Sequence, residues 1–556
     1  MSNPTKPEAR SYFGWQVERV AFMFGMSGPR VLMLGAASLL AVWPFTVADL
    51  LFGVIVWPIA ALTVGLVFFR VRGRTADEWI TGWVSYHLGK RRDFHKFASG
   101  ALAPDASPVI DTTDLEPEAT EEEAEPEADS ITARKRHGHD HGHGVRRGRK
   151  RQRADLPGVL APIEILEDEF PDGTPIAIVH HRIDKTFTAV ARITYPGLGL
   201  VDTDRREQRV AGWGGLLAGL CTEGNPIIRV QAFQRLLPES GAALRRWHLD
   251  HADPQAPEVT QAITEGLLST ATLATSSRES FLAFTMDARR AASAIRSAGG
   301  GSRAASAVLA RHVISLTASI GGADLAVQSW LQPRELAEVV RSAFTPNMVR
   351  SLAERREAAD RGGLPAGIDP VLARPASAEA RPGYYLHDGS ASITYWVYDW
   401  PRSRTYSTVL APLLGEGQHR RTFSMHHEPL GPRKAEKEVM KERTARSVAV
   451  RMRQRTGQIV PEHEQAALDR AAQQDVERAN GHGLVRFTGL ITITVTDFDD
   501  TSDASHRELE DAAAALEADA AAARIEVDRM WNTQDIGFAM SALPLGFGLP
   551  KARWSQ

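Results

Sequence analysis

Hydrophobic and polar positions divide the chain into a short, almost continuously apolar stretch near its start and a much longer region where apolar residues recur at strand or helix spacing. Residues 31–69, VLMLGAASLLAVWPFTVADLLFGVIVWPIAALTVGLVFF, contain a single charge, Asp49. Fully helical, the stretch would extend ~58 Å at ~1.5 Å per residue, nearly twice the roughly 30 Å apolar thickness of a bilayer. One crossing is too short to use it all. The Ala48-Asp49 pair divides it into 31–47 and 50–69, each long enough to cross, so a transmembrane helical hairpin with Asp49 in its turn is expected. Lys6, Arg10, Arg19 and Arg30 precede the hairpin and Arg70, Arg72 and Arg74 follow it, which predicts a multi-pass protein of the plasma (inner) membrane with both ends and the main body cytoplasmic.

Residues 1–30 mix aromatic residues with charge and read as a cytoplasmic or interfacial segment. Within 70–110, GRTADEWITGWVSYHLGKRR places Trp79, Ile80, Trp83, Val84 and Leu88 at helical spacing, with Asp77 and Glu78 early and Lys90, Arg91 and Arg92 late. That pattern predicts an amphipathic juxtamembrane helix whose charges suit its dipole. From Ile163 onward strand-like runs at 175–181, 186–195, 225–237 and 279–287 alternate with helical runs at 202–220, 258–273, 303–318 and 333–344. A second cycle has strands at 392–400, 420–430, 483–497 and 524–530, a charged helical region over 433–478 and a helix over 504–523. The expected fold is thus a transmembrane hairpin plus a cytoplasmic α+β body of two related units, 156–358 and 383–556. The Gly, Pro and Ala-rich 359–382 would join them, and each sheet would carry helices on one face.

Charge changes the picture between 111 and 155. Residues 111–130 hold ten acidic and no basic residues, and 134–153 hold nine basic residues, four histidines and one aspartate. Neither block offers apolar area to bury, so a disordered linker is expected. His137, His139, His141 and His143 have metal-ligand side chains but no framework to fix a tetrahedral shell, and read as part of a polar tether. A formal net charge of −3 over 556 residues argues against a general nucleic-acid binder. The single cysteine, Cys221, excludes intrachain disulfides and thiolate-rich zinc sites.

Catalytic wiring is sparse. No GxxxxGK[ST], HExxH, GxSxG or GxGxxG run occurs, so no phosphate loop, zincin, nucleophile elbow or dinucleotide fingerprint is expected, and no cofactor or metal is assigned. His180-His181 and His426-His427 each close or occupy a strand, where neighbours point to opposite faces and cannot act as one ligand pair. An enzyme using His426 or His427, and a lipid- or nucleic-acid-binding module using Arg134 to Arg153, are the competing readings from other classes.

Residues Gly73, Arg74, Asp77, Glu78 and Trp79, following two apolar segments, resemble the PrgI-type small membrane proteins of Gram-positive conjugation systems over roughly 14–92. The body is similar in layout to the non-catalytic N-terminal domain of the large conjugation traffic ATPase. The run WNTQDIGFAMSALPLGFG, 531–548, looks like the segment where such ATPases pass into their motor, with Gln534, Phe538, Ser541, Leu543 and Pro544 carrying the likeness. The resemblance implies an actinobacterial, non-enzymatic membrane scaffold of a conjugative or type IV secretion-like apparatus. Its partners would be the lipid bilayer, a separate hexameric traffic ATPase and other channel components, with homo-oligomerisation and direct nucleic-acid binding left open. Arg30, Asp49, Arg70 and the 73–79 positions would then lie at the membrane interface, and Gln534, Phe538, Ser541 and Pro544 would dock the partner. A two-span component of a type VII secretion machine is a second resemblance within transport machinery.

Overall fold

The computed structural model describes residues 28–46, 50–68, 70–71, 74–75, 95–99, 156–195, 202–238, 255–271, 276–360, 365–401, 409–415, 417–455 and 483–548, with a few isolated positions between them. The first two described elements are helices, α1 (Gly28–Thr46) and α2 (Leu50–Phe68), close to the expected boundaries. They are held together in part by the indole of Trp57, which donates to the Ala41 carbonyl at 3.1 Å. Large side chains face outward along both, with Leu39 73%, Val54 65% and Leu62 66% exposed. Their described apolar stretches, Leu34–Pro44 and Val56–Gly65, are shorter than a full crossing. Next come the two-residue strands β1 (Arg70–Val71) and β2 (Arg74–Thr75), paired antiparallel. This pairing corrects the start of the expected juxtamembrane helix, while Trp83, Tyr86, His87 and Gly89 to Arg91 within its span are helical.

The body follows in chain order: β3 (Lys96–Ala98), β4 (Ile163–Glu169), β5 (Pro175–His181), β6 (Thr186–Thr194), α3 (Thr203–Leu220), β7 (Ile227–Pro238), α4 (Glu258–Ala271), β8 (Ser276–Asp287), α5 (Ala292–Ser297), α6 (Gly301–Gly321), β9 (Ala326–Trp330), α7 (Pro333–Phe344) and α8 (Val349–Asp360). The second half comprises β10 (Ser377–Ala380), β11 (Tyr385–His387), β12 (Ser390–Asp399), α9 (Ala411–Leu414), β13 (Arg420–Leu430), α10 (Pro432–Arg455), β14 (Leu484–Val495), α11 (Asp503–Ala522), β15 (Glu526–Arg529) and α12 (Gln534–Ser541). Local chemistry accounts for several starts. Gln332 and Glu335 form a reciprocal capping box before Pro333 begins α7, and the Ser502 side chain accepts from the Ser505 amide at the head of α11.

All of these strands join one antiparallel sheet, ordered β3-β10-β11-β12-β14-β13-β7-β8-β6-β5-β4, with β15 also on β12 and β9 on β6. The expectation of a separate sheet for each of the two units is therefore corrected, since both halves share one. The order β4-β5-β6-β8-β7 in the first half repeats as β10-β11-β12-β14-β13 in the second, and β7 and β13 pair at the centre. Residues 359–382 are likewise more than a join, since they contain the 3-10 turn Pro370–Ala373 and the strand β10.

Helices cover both faces rather than one. Ile178, Ala189 and Ala191 pack with Leu309 and Val313 of α6, whereas the alternate residues Val179 and Val190 pack with Leu336, Val340 and Phe344 of α7. On the first face α11 covers the second half through Leu509 and Leu516. On the other face one core contains side chains of both α7 and α12, with the Phe344 and Phe538 ring centroids 5.2 Å apart. Helix α6 alone among the described residues is long and apolar enough to cross a bilayer, and it is instead a core helix, with Val308, Leu309, Val313 and Ile320 buried.

Charge inside this sheet is tightly paired. Arg235 of β7 donates to Glu279 Oε2 of β8 through Nε at 3.1 Å and Nη2 at 2.5 Å, and its Nη1 reaches the Val339 carbonyl of α7. Although burial works to raise it, the Glu279 carboxyl is held down to about 2 by Arg235 first and then by Arg192 and Arg356. A depressed acid contributes stability that is present above its unfolded pKa and lost as pH falls through the folded one. The unfolding midpoint is therefore expected to drop between about pH 4.5 and pH 2. Glu279→Gln should flatten that drop by on the order of 3 kcal/mol in denaturant titrations, while lowering stability at neutral pH.

Candidate functional site

The residues expected to face a partner lie on the 534–548 segment, which crosses the sheet face shared by both halves. Gln534 is 1% exposed; its Oε1 accepts from the Thr394 amide at 2.8 Å and its Nε2 donates to the Thr394 carbonyl at 3.3 Å. Phe538 packs against Tyr385, His387 and Phe344, with centroid separations of 5.0, 4.8 and 5.2 Å. Ser541 and Pro544 are buried as well. The four docking candidates are thus enclosed by this chain's own sheet, which corrects their placement on a partner-facing surface. A segment laid across a sheet interior must find partners for its backbone there, and strand side chains supply them to Met540, Leu543 and Gly546.

Gln231 is the centre of that arrangement. Its Nε2 lies 2.9 Å from Ser424 Oγ, 3.0 Å from the Met540 carbonyl and 2.9 Å from the Leu543 carbonyl, and its Oε1 accepts from the Gly546 amide at 2.8 Å. Arg229 donates to the Gly546 carbonyl at 2.9 Å and pairs with Glu428 at 3.2 Å. Gly546 has φ +63°, and a Cβ there would stand 2.2 Å from Thr285 Oγ1, so both conformation and space call for glycine. Sequence reasoning missed Gln231, Arg235 and Glu279. The available signal was polar side chains at inward positions of otherwise apolar central strands.

Ser424 Oγ and His426 Nε2 are 3.2 Å apart, a separation at which a nucleophile and a base would sit. Their surroundings give them another role. His426 Nε2 lies 3.0 Å from the Met540 carbonyl and must carry the hydrogen to bond it, so that nitrogen cannot take the serine proton, and Nδ1 has no partner to orient the ring. Burial first, then Arg229, holds His426 down to about 3. His427 points to the opposite face, edge-on to Trp213 with centroids 5.4 Å apart, and burial brings it to about 4. His387 donates from Nδ1 to the Phe344 carbonyl at 2.6 Å and accepts from Ser392 at 2.8 Å, and burial brings it to about 4. On the other pair, His180 stacks on Phe187 at 4.5 Å and faces Glu164, while His181 meets Asp184 at 3.3 Å across the β5–β6 turn.

Among the expected interface residues, Arg30 lies in the first turn of α1 and Arg70 and Arg74 lie on β1 and β2. Asp49, Gly73, Asp77, Glu78 and Trp79 lie outside the described residues, as do His137 to His143 and the basic block Arg134 to Arg153. Among the described residues no three or more His, Cys, Asp or Glu side chains are grouped to hold a metal ion. A cleft of about 580 Å³ opens between the start of β13 and α11, with Arg421 and Arg507 beside Glu508 and Asp511. Arg421 is committed to Asp519 at 2.6 Å.

Gln231→Leu should cost about 2 kcal/mol by leaving the Leu543 carbonyl and the Gly546 amide unmatched. Amide exchange over 540–546 should then quicken about thirtyfold relative to β14. Because its folded pKa is depressed, His427 contributes stability above about pH 6.5 that is lost as pH falls towards 4. His427→Phe, between Trp213 and Phe487, should reduce that loss by on the order of 3 kcal/mol, read from unfolding midpoints across the range. Comparison with family models and with curated proteins gave no match to this chain.

Proposed function

We propose that this chain is a membrane-anchored, non-catalytic scaffold of a conjugative or type IV secretion-like transport apparatus, holding a separate ATPase at the inner face of the plasma membrane. The observation that carries the anchoring part is the outward display of Leu39, Val54 and Leu62 on α1 and α2, an apolar surface that water disfavours and lipid accepts. Support for a scaffold comes from the body, where the polar groups nearest to a catalytic arrangement, Ser424 and His426, are occupied in holding the 540–546 segment. The repeated strand order supports a reading of the halves as two related units, and the assignment to transport machinery rests on the resemblance of 73–79 and 531–548. With 534–544 enclosed, the ATPase would meet the outer helices or the sheet edge rather than that segment.

After cell breakage the chain is expected to sediment with membranes and to stay there through alkaline carbonate washing. Tags placed before Tyr12 and after Arg92 should both resist protease added from outside. Detergent-purified protein should capture the ATPase encoded beside it while turning over no ATP alone. Recovery in the aqueous fraction would remove the anchor, and ATP turnover by the isolated chain would remove the scaffold.

A further inference from the structure

Helices α4 and α10 occupy equivalent places in the two halves, following β7 and β13 respectively, yet they differ in chemistry and in position. Because β7 and β13 are antiparallel, they finish at opposite ends of the sheet, and α10 starts where β13 finishes. Strand directions alternate from β13 through β14, β12, β11 and β10 to β3. The chain coming from α2 therefore arrives at β3 from the end towards which β13 runs and where α10 begins. Five strand spacings, about 24 Å, separate β3 from β13, and a helix of 24 residues such as α10 is about 36 Å long.

The exposed face of α10 is basic and apolar together. At ~100° per residue, Lys437, Lys441 and Arg451 fall within an arc of about 100° that also holds Met440 and Val448. All five are exposed, while Ala435, Val439 and Val450 on the opposite side are buried. The exposed acid Glu436 lies outside the arc, and Glu438 is turned to Arg486. Helix α4 displays Val259, Ile263 and Leu267 but has no basic residue, only Glu258 and Glu265.

We infer that the Lys437, Met440, Lys441, Val448 and Arg451 face of α10 rests on the anionic phospholipid surface of the membrane in which α1 and α2 are anchored. The cations meet headgroup phosphates, and Met440 and Val448 enter the boundary with the acyl chains. A nucleic-acid backbone would engage the cations alone and leave the two apolar side chains without a use. The inference rests on α1 and α2 being the anchor, and it adds a second, charge-dependent contact that fixes the body against the bilayer.

The test uses the full chain with Cys221→Ala in lipid nanodiscs, carrying an environment-sensitive fluorophore on either M440C or I263C. In discs containing phosphatidylglycerol the probe at 440 should shift to shorter wavelength, and headgroup-quencher lipid should dim it. Both effects should be lost in phosphatidylcholine discs and in K437E/K441E/R451E, while the probe at 263 stays in water throughout. Disc-bound protein whose probe at 440 remains in water overturns this inference and leaves the anchor standing. Protein that does not stay with the discs overturns both. A shift driven by duplex DNA, and not by anionic discs, assigns the face to nucleic acid and overturns the lipid contact.

Discussion

The pairing of β7 with β13 is the constraint on which the rest of the structure depends. Seven consecutive positions, from Arg421↔Leu236 to His427↔Val230, turn two half-sheets into one. Without that ladder each half would expose a long central strand whose backbone groups lacked partners. The side chains at the seam are unusually polar for the middle of a sheet. Gln231 faces His426 directly and Arg235 faces Thr422, so the seam carries the groups that receive other parts of the chain. Arg235 and the neighbouring Arg420 reach the Val339 and Ser342 carbonyls near the end of α7, where a cation also suits the helix dipole.

Around that seam the halves exchange contacts. Helix α7, from the first half, packs on the 3-10 turn Pro370–Ala373 that introduces the second. Helix α12, from the second half, packs beneath Gly158–Leu160, which introduces the first. Burial there pushes the Asp535 carboxyl up. Phe344 and Phe538 meet between the two. Truncating either helix would open core belonging to both halves, so the body is expected to unfold as one unit.

Much of the body was legible from periodicity. Runs at 175–181, 333–344 and 420–430 coincide with β5, α7 and β13, because short runs of strand formers or a helical apolar period are bounded by local signals such as Pro333 at the start of α7 and Gly431 after β13. Short strands escaped notice. SAEA in β10 and YLH in β11 have too few residues to show a period and take their strand state from pairing. Sheet continuity was illegible for a related reason, since the pattern in 227–238 and 420–430 specifies strands but not their partner. The candidate site was misread where sequence likeness favoured exposure. Gln534 and Ser541 are polar residues that look available, and only the placement of Thr394 and the shared core reveals that they are enclosed.

An antiparallel seam between two similarly ordered halves has a further consequence. Equivalent elements must emerge at opposite ends, so even a repeated strand order produces a body with two unlike poles. At one pole β13 gives way to the basic helix α10, on the side from which the chain reaches β3, whose Lys96 sits 3.9 Å from Glu379. At the other, β7 leads to α4, which carries apolar side chains and two acids. That polarity follows from strand direction and from the divergence of the two helices.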